Sequence, residues 1–407
     1  MTITRRGFLQ LGAGASAFNI APSRMFGYTA PGDRIAMGVI GLGGMGMDDL
    51  SAFLGMKDVA VRAVCDVNTC KTQAAKLRVD AHYGNRDCAT ISDFRELCAR
   101  SDLDAVVIAT PDHSHASIGI EAARNGKAVY GETPFTHTLA EGRAWADAVA
   151  RHGVVWQSGN WLRSQPAFRQ MAAWVRAGGL GPVARVEVGL PGGGRGPAAS
   201  AVPLVPPTGL DWGAWQGAAS ACAYRGVCDF HWRWVSAWGG GSLMDGIGLY
   251  GDIALWGLGR DATGPVRIEG RGECPSGGFY DTATAFAFRC VFQDGVELAV
   301  SDGGRQEKGV GVRWIGRNGD WVWVSRGALE TSRPELRQEI FGANNGLLFA
   351  DAGHYRNFID CVRTRRTTVA PAEAAHRAAS LGHLGQIAMR TGRVIRFDPQ
   401  TETFLAV

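Results

Sequence analysis

Several features are missing from this sequence, and each absence excludes a class of protein. No run of about 18 or more apolar residues occurs, so no segment reads as a membrane-spanning helix. There is no long block of one charge sign: 42 Lys and Arg against 38 Asp and Glu leave a formal net charge of +4. Nothing therefore advertises nucleic acid or an anionic membrane surface as a partner. The nine cysteines, Cys65, Cys70, Cys88, Cys98, Cys222, Cys228, Cys274, Cys290 and Cys361, are odd in number and contain no CxxC. A zinc site is not expected, nor is any other metal, and no disulfide is expected to matter. No internal repeat is found. What the sequence does have is 46% hydrophobic residues over 407 positions, enough for a large core and for two domains.

The N-terminus, TRRGFLQLGAGASAFNIAPSRM, pairs Arg5 with Arg6 ahead of Phe8, Leu9 and a short stretch of small apolar residues. This resembles a twin-arginine export signal, so residues 1–32 are set aside as signal and linker and a periplasmic location is expected. A substrate exported already folded matures in the reducing cytosol, which agrees with the cysteine reading.

Residues 35 to 40 form an apolar run of strand length, followed at once by GLGGMG from Gly41 to Gly46 and then a helical pattern. In a chain with 57 glycines GxGxxG alone is a weak signal. Its context is stronger. A second strand-like run, VAVRAVCD, ends in Asp66, twenty positions after Gly46. A carboxylate there can hold the adenosine ribose hydroxyls, while backbone NH groups of Gly41, Leu42, Gly43, Gly44 and Met45 face a pyrophosphate at the helix start. Asp66 would repel a 2′-phosphate, so NAD is favoured over NADP.

LDAVVIATPDHSHASIGIEAARNGKAVYGETP repeats the alternation: strand at 103 to 109, helix at about 114 to 125, strand at 127 to 131. Such alternation predicts a parallel sheet with right-handed crossovers, and ligands bind at the carboxyl ends of its strands. Thr110, Pro111, His115 and Glu132 are thus expected beside the nicotinamide half of the cofactor.

After Gly159 the βα alternation stops. Residues 183 to 190, and parts of 282 to 301 and 310 to 324, alternate apolar and polar, which suits a sheet covered on one face. Residues 191 to 208 are rich in glycine and proline and should form an irregular arm. Six of the thirteen tryptophans fall between Trp212 and Trp256, where some could stack on a sugar ring or simply fill core.

The pieces GVIGLGGMG, VCDVN, ATPDHSHASIGIEAARNGKAVYGETP, QSGNWLRSQPAF, LDWGAWQG, WGGGSLMDGIGLYGDIALWGLG, HYRNFIDCVRTRR and AAHRAASLGHLGQIAMRTGRVIRFDP occur in an order that resembles the glucose-fructose oxidoreductase and inositol dehydrogenase (Gfo/Idh/MocA) family. The resemblance covers nearly everything after residue 33. It implies an α/β protein: an N-terminal Rossmann domain with a doubly wound parallel sheet at 33–158, then at 159–407 an α+β domain whose open, mostly antiparallel sheet carries the substrate face and often the oligomer interface. It further implies a homo-oligomer, dimer or tetramer, acting on a carbohydrate or cyclitol.

The same resemblance implies a lysine in a Glu-Lys-Pro turn and a helix bearing Asp with His or Tyr four residues on. Here Thr133 replaces the lysine, and Leu249 stands four residues after Asp245. Asp245 remains the candidate base, with Tyr250 as a helper if the glycine-rich helix start is irregular; Asp245 could equally be a helix N-cap. Arg163, His231, Arg233 and Trp234 are candidate substrate contacts. Three readings stand: an exported oxidoreductase with tightly held cofactor, a redox-neutral glycoside-cleaving enzyme, and a non-catalytic saccharide-binding subunit.

Overall fold

The computed structural model describes residues 33–193, 202–275, 278–342 and 353–406. The export-signal expectation falls on residues 1–32 and so lies outside the described residues, as does part of the arm, 194–201.

The first domain is a six-stranded sheet, every neighbouring pair parallel. Its strands are β1 (Ile35–Ile40), β2 (Val59–Cys65), β3 (Ala89–Ile91), β4 (Ala105–Ile108), β5 (Ala128–Gly131) and β6 (Trp156–Ser158), in the order β3-β2-β1-β4-β5-β6. Helices α1 (Gly44–Leu54), α2 (Thr69–Tyr83), α3 (Phe94–Ala99), α4 (Asp112–Arg124) and α5 (Leu139–His152) make the connections. β1, β4 and β5 are apolar throughout because helices cover both faces of the sheet. Chain order reverses between β1 and β4, and the crevice opens beyond their carboxyl ends.

Two of these helices touch closely. Gly119 on α4 lies against the Trp145 indole of α5; a Cβ at Gly119 would sit 1.9 Å from Trp145 Cε2. Trp145 is itself wholly buried and stacks on Phe135 at 4.5 Å between ring centroids.

The second domain is built on nine strands in the order β13-β12-β11-β7-β10-β9-β8-β14-β15. They are β7 (Val183–Leu190), β8 (Arg267–Glu273), β9 (Ala285–Val291), β10 (Glu297–Asp302), β11 (Gly311–Gly316), β12 (Trp321–Ser325), β13 (Ala328–Thr331), β14 (Ile395–Asp398) and β15 (Thr403–Phe404). Only the β7–β10 pair is parallel, which makes the sheet mixed and mostly antiparallel. Alternate residues such as Val186, Val188, Phe288, Val300 and Trp314 are buried in a common core. The opposite face carries Arg185, Glu187, Glu269, Arg289 and Arg313, laced by ion pairs.

Helices α6 (Pro166–Arg176), α7 (Trp212–Gln216), α8 (Gly241–Gly246), α9 (Asp252–Gly257), α10 (Pro334–Phe341), α11 (His354–Thr364) and α12 (Ala372–Thr391) complete the chain. Between α8 and α9 the helix widens into a π turn at Ile247–Gly251. Late in sequence, α11 nevertheless packs on the first domain: Phe358 and Ile359 join the core of β1, β2 and α1, and Tyr355 donates to Asp49 at 2.9 Å.

The fold corrects the expectation that Arg163 meets the substrate. It lies in a turn at Trp161–Ser164, is 2% exposed, and grips Asp252 through Nε and Nη2 at 2.6 and 2.7 Å. The same guanidinium reaches Asp261 at 2.8 Å and the Val369 carbonyl at 3.0 Å. Asn160 adds a 2.6 Å bond to Asp252. These bonds, made by four of its five N–H donors, and its burial hold the guanidinium in the core.

Two stability results are expected. Alanine at Gly119 should gain about 1 kcal/mol in helix propensity, but overpacking costs about 1–3 kcal/mol. Because a buried indole cannot swing aside, denaturant unfolding should show a net loss, and a stabilised variant would contradict the packing. Arg163→Met should cost about 3–5 kcal/mol by stranding Asp252, with most of it recovered in Arg163→Met/Asp252→Leu. A singly substituted protein as stable as the parent but with raised KM would return Arg163 to the substrate.

Candidate active site

A cleft of about 600 Å³ runs along the carboxyl ends of β1, β2, β4 and β5 and under residues of the second domain. Its floor is the glycine turn. Gly41 has φ +86°, and a Cβ there would lie 2.7 Å from the Ala109 backbone; at Gly46 it would strike the Gly41 carbonyl at 1.9 Å. These two glycines let strand, turn and helix close up. Gly43 and Gly44 instead face open space, where an added Cβ would meet nothing within 4 Å. The α1 start has no side-chain cap, so its free NH groups are available to a pyrophosphate.

Asp66 is held in place by two backbone bonds at the end of β2. Its two oxygens accept from Leu42 N at 2.8 Å and Asn68 N at 2.9 Å, and burial pushes its carboxyl up while these bonds hold it down. Leu42 is buried and acts through this backbone bond, outside the cleft wall. Gly41, Gly43, Gly44, Met45, Thr110, Pro111 and Glu132 line the cleft as expected from the sequence. This constellation fits NAD: an open glycine cradle, a helix N-terminus, and a carboxylate for the ribose diol.

A roof comes from the second domain. Asn68 and Leu210 form an antiparallel bridge, Thr69 N donates to Gly209 O at 2.9 Å, and Asp211 N donates to Val67 O at 3.0 Å. Lys71 meets Asp229 at 2.7 Å over the same end. Leu210, Trp215, Asp229, Phe230 and Trp232 thereby enter the cleft wall.

At the other end lie Glu132, Thr133, Asp112, Arg233, Asp245 and Leu249. Arg233 comes from a 3-10 turn at His231–Trp234, flanked by the rings of Trp232 at 4.3 Å and Phe230 at 4.8 Å. Its Nε is 3.3 Å from Asp245 Oδ2. Burial pushes the Asp245 carboxyl up to about 6 against the lowering effect of Arg233. Asp245 makes no helix cap: the α8 N-cap is Gly240. Thr133 has no charged role. It packs on the π turn, where a Cβ on Gly248 would approach its Cβ to 3.2 Å. Burial first, and Asp49 second, push Glu132 well above the usual carboxylate range.

Four other expectations do not fit the cleft. Tyr250 is on the π turn but points away, buried 6.1 Å from the Phe168 ring, because the turn presents Leu249 instead. His115 is buried below the wall, its ring nitrogens 2.8 Å from Pro134 O and 2.7 Å from Thr110 O, so it ties together the two loops that do line the cleft. His231 and Trp234 share a tight turn with Arg233 of which only Trp232 and Arg233 line the cleft. His231 sits edge-on to Phe230, and the Trp234 carbonyl accepts from Asp281 N at 3.0 Å. Of the clustered tryptophans only Trp215 and Trp232 reach the wall; both also join Trp212 and Trp238 in a satellite core, while Trp256 packs on the main core.

The cleft also holds two residues that sequence reasoning does not single out. His113 lines it and bonds Trp215 O at 3.0 Å; burial pushes its imidazole down to about 4. Asp112 is buried beside it. Both stand inside TPDHSH, between Pro111 and His115, so their position beyond the β4 strand is the available signal.

Comparison with known proteins agrees with this architecture. Residues 35–160 match a family model described as oxidoreductase family, NAD-binding Rossmann fold, and 197–407 match the oxidoreductase family C-terminal alpha/beta domain. A glycosyl hydrolase family 109 protein of Saccharopolyspora erythraea is 37% identical over 112 residues, 27% of this chain and 24% of that one. The scyllo-inositol 2-dehydrogenase (NAD(+)) of Bacillus subtilis is 38% identical over 89 residues, 22% of this chain and 26% of its own. The chain thus spans about a quarter of the length of these curated relatives. The WlbA dehydrogenase of Bordetella pertussis, solved with NADH and UDP-GlcNAcA, shares the fold with a TM-score of 0.65 at 18% identity, covering 90% of this chain and 99% of that one. With family models matching both of its domains in order, and the second alone matching more than half of its residues, the chain belongs to the Gfo/Idh/MocA oxidoreductase family.

Proposed function

We propose that this protein oxidises a carbinol carbon of a sugar, glycoside or cyclitol, with NAD retained in the cleft. The observation that carries the reading is Asp245, held beside Arg233 in the same cleft wall as the glycine turn, Asp66 and Glu132. When bound, NAD supplies the hydride acceptor. Gly41 to Met45 and Asp66 hold its phosphates and ribose. Asp245, ionised above pH about 6, takes the hydroxyl proton. Arg233 stabilises the carboxylate and orients it. Trp215 and Trp232 exclude water, and of the two it is the half-buried Trp215 that can meet a sugar ring.

The roof at Leu210 and Asp229 supports a slowly exchanging cofactor. Retention suits export by the twin-arginine route that Arg5 and Arg6 suggest, since no free nicotinamide pool awaits outside the cytosol. Net turnover then needs a second substrate that restores the cofactor in place. A redox-neutral variant, in which a sugar carbon is oxidised transiently while a glycosidic bond is cleaved, is favoured by the relatives named glycosyl hydrolase family 109. The non-catalytic reading is disfavoured by Arg233, which brings a cation to the end of the cleft where Thr133 supplies none.

Protein purified without added nucleotide and then denatured should release stoichiometric NAD(H), identified by mass spectrometry. An empty protein that also fails to bind NAD would sink this reading. With carbon-deuterated sugars and cyclitols, deuterium should appear in the bound cofactor. The oxidation rate should rise with pH through about 6, because the base must lose its proton, and stay level above. Asp245→Asn should remove that limb and lower kcat by about 10²–10⁴; an unaltered pH profile would acquit Asp245.

A further inference from the structure

Asp112 opens α4 directly after the Thr110–Pro111 turn and is 2% exposed, yet it lines the cleft. Its Oδ2 accepts from Gly240 N at 3.3 Å. Its Oδ1 is buried and has no hydrogen-bond partner among the described residues. Gly240 caps the helix that carries Asp245, and the two carboxyls line the same cleft from either side of the domain boundary. Burial and the charge of Asp245 push Asp112 well above the usual carboxylate range, and Arg233 is the cation that opposes this.

Before a cofactor adds its own charge, two carboxylates and one guanidinium would leave an uncompensated negative charge in a site walled by Trp215 and Trp232, whereas one retained proton makes the set neutral, and the deeper burial of Asp112 favours that proton. The Arg233 guanidinium pairs with Asp245, while Asp112 accepts only from the Gly240 backbone, so the proton belongs on Asp112. An oxygen that already accepts from a backbone NH is the carbonyl oxygen. Oδ1 is then the hydroxyl, a buried donor without an acceptor, which a ligand oxygen can satisfy.

We propose that Asp112 is a catalytic hydrogen-bond donor to the oxygen on the reacting carbon, gripping the alcohol opposite Asp245 as proton acceptor. The proposal rests on the alcohol-oxidising reading of the cleft. In the oxidative direction the substrate O–H bond breaks and its proton goes to the Asp245 carboxylate. The C–H pair leaves as hydride to the oxidised nicotinamide dinucleotide, and the C=O bond forms. Asp112 keeps its proton throughout and donates to that oxygen. The acid that stays neutral polarises the carbonyl in the reverse direction by the same bond.

The test uses the full NAD-loaded chain with Asp112→Asn and Asp112→Ala. The infrared difference between the parent and Asp112→Asn at pH 7 should contain the carbonyl stretch of one protonated carboxyl; Glu132 and Asp49 cancel in the difference. Absence of that band overturns the proposal, whether or not any alcohol is oxidised. Where an alcohol is oxidised, Asp112→Asn retains an NH donor and should stay within about tenfold of the parent, while Asp112→Ala should lose about 10²–10³ in kcat with little change in KM. If Asn falls as far as Ala while both melt like the parent, donation is not what Asp112 does. Absence of hydride transfer in every protein would instead count against the alcohol-oxidising reading, leaving the infrared band to decide the state of Asp112.

Discussion

The widened turn at Ile247–Gly251 is the constraint on which both core and cleft depend. In a regular helix, at about 100° per residue, Asp245, Leu249 and Asp252 would share one face. A π turn takes up an extra residue and rotates the helix beyond it. Asp245 and Leu249 therefore meet the cleft, while Asp252 turns to Arg163 and Asn160 in the interior. The glycines around the turn serve contact more than flexibility. A Cβ on Gly246 would come within 3.2 Å of Leu190, and one on Gly248 within 3.2 Å of Thr133. The turn is wedged between the end of β7 and the turn after β5, and so fixes the distance between the domains.

That wedge also explains the chemistry of the missing lysine. A lysine side chain after Glu132 would have to share space with Gly248, where threonine already packs. The cation arrives instead from the second domain as Arg233, clamped between Trp232 and Phe230. Arginine is not equivalent to lysine, because a guanidinium does not give up its proton near neutral pH. It can hold Asp245 ionised, but it cannot serve as an acid. In the proposed reaction the proton therefore goes to a carboxylate, Asp245, while Asp112 at the same end keeps its own.

The sequence is legible wherever the signal is local. Strand-helix alternation and GLGGMG followed by Asp66 locate the parallel sheet and the glycine floor of the cleft, and each depends on residues within one βαβ unit. Arg163 misleads because its partners are Asp252, Asp261 and Val369, between 89 and 206 positions away, and nothing local distinguishes a buried ion pair from a substrate clamp. His115 misleads for a related reason. Its ring meets the Pro134 carbonyl from a separate βα unit, so a polar residue beside a ligand loop proves to be its fastener. Tyr250 depends on a helix phase that periodicity alone cannot give once a turn is widened. The roof over the cleft has no sequence signal, since Leu210 pairs with Asn68 across the whole first domain.

The roof bears on how long a bound dinucleotide would stay. At the adenosine end the Asn68–Leu210 bridge consists of two hydrogen bonds, Thr69 N to Gly209 O and Asp211 N to Val67 O, and Lys71 pairs with Asp229 beside it. A hydrogen bond of this kind is worth about 0.5–1.5 kcal/mol net, and a partly exposed ion pair about 0–1 kcal/mol. Two such bonds and the pair together amount to roughly 1–4 kcal/mol. At about 1.4 kcal/mol per tenfold, opening that end would be disfavoured by roughly 5- to 700-fold. The end holding Asp112 and Asp245 is tied across the domains as well, by Gly240 N to Asp112 Oδ2 at 3.3 Å, His113 N to Trp238 O at 3.2 Å and the His113 ring to Trp215 O at 3.0 Å. The two domains are thus held together at both ends of the cleft, and both sets of bonds favour the retained cofactor that the proposed reaction requires.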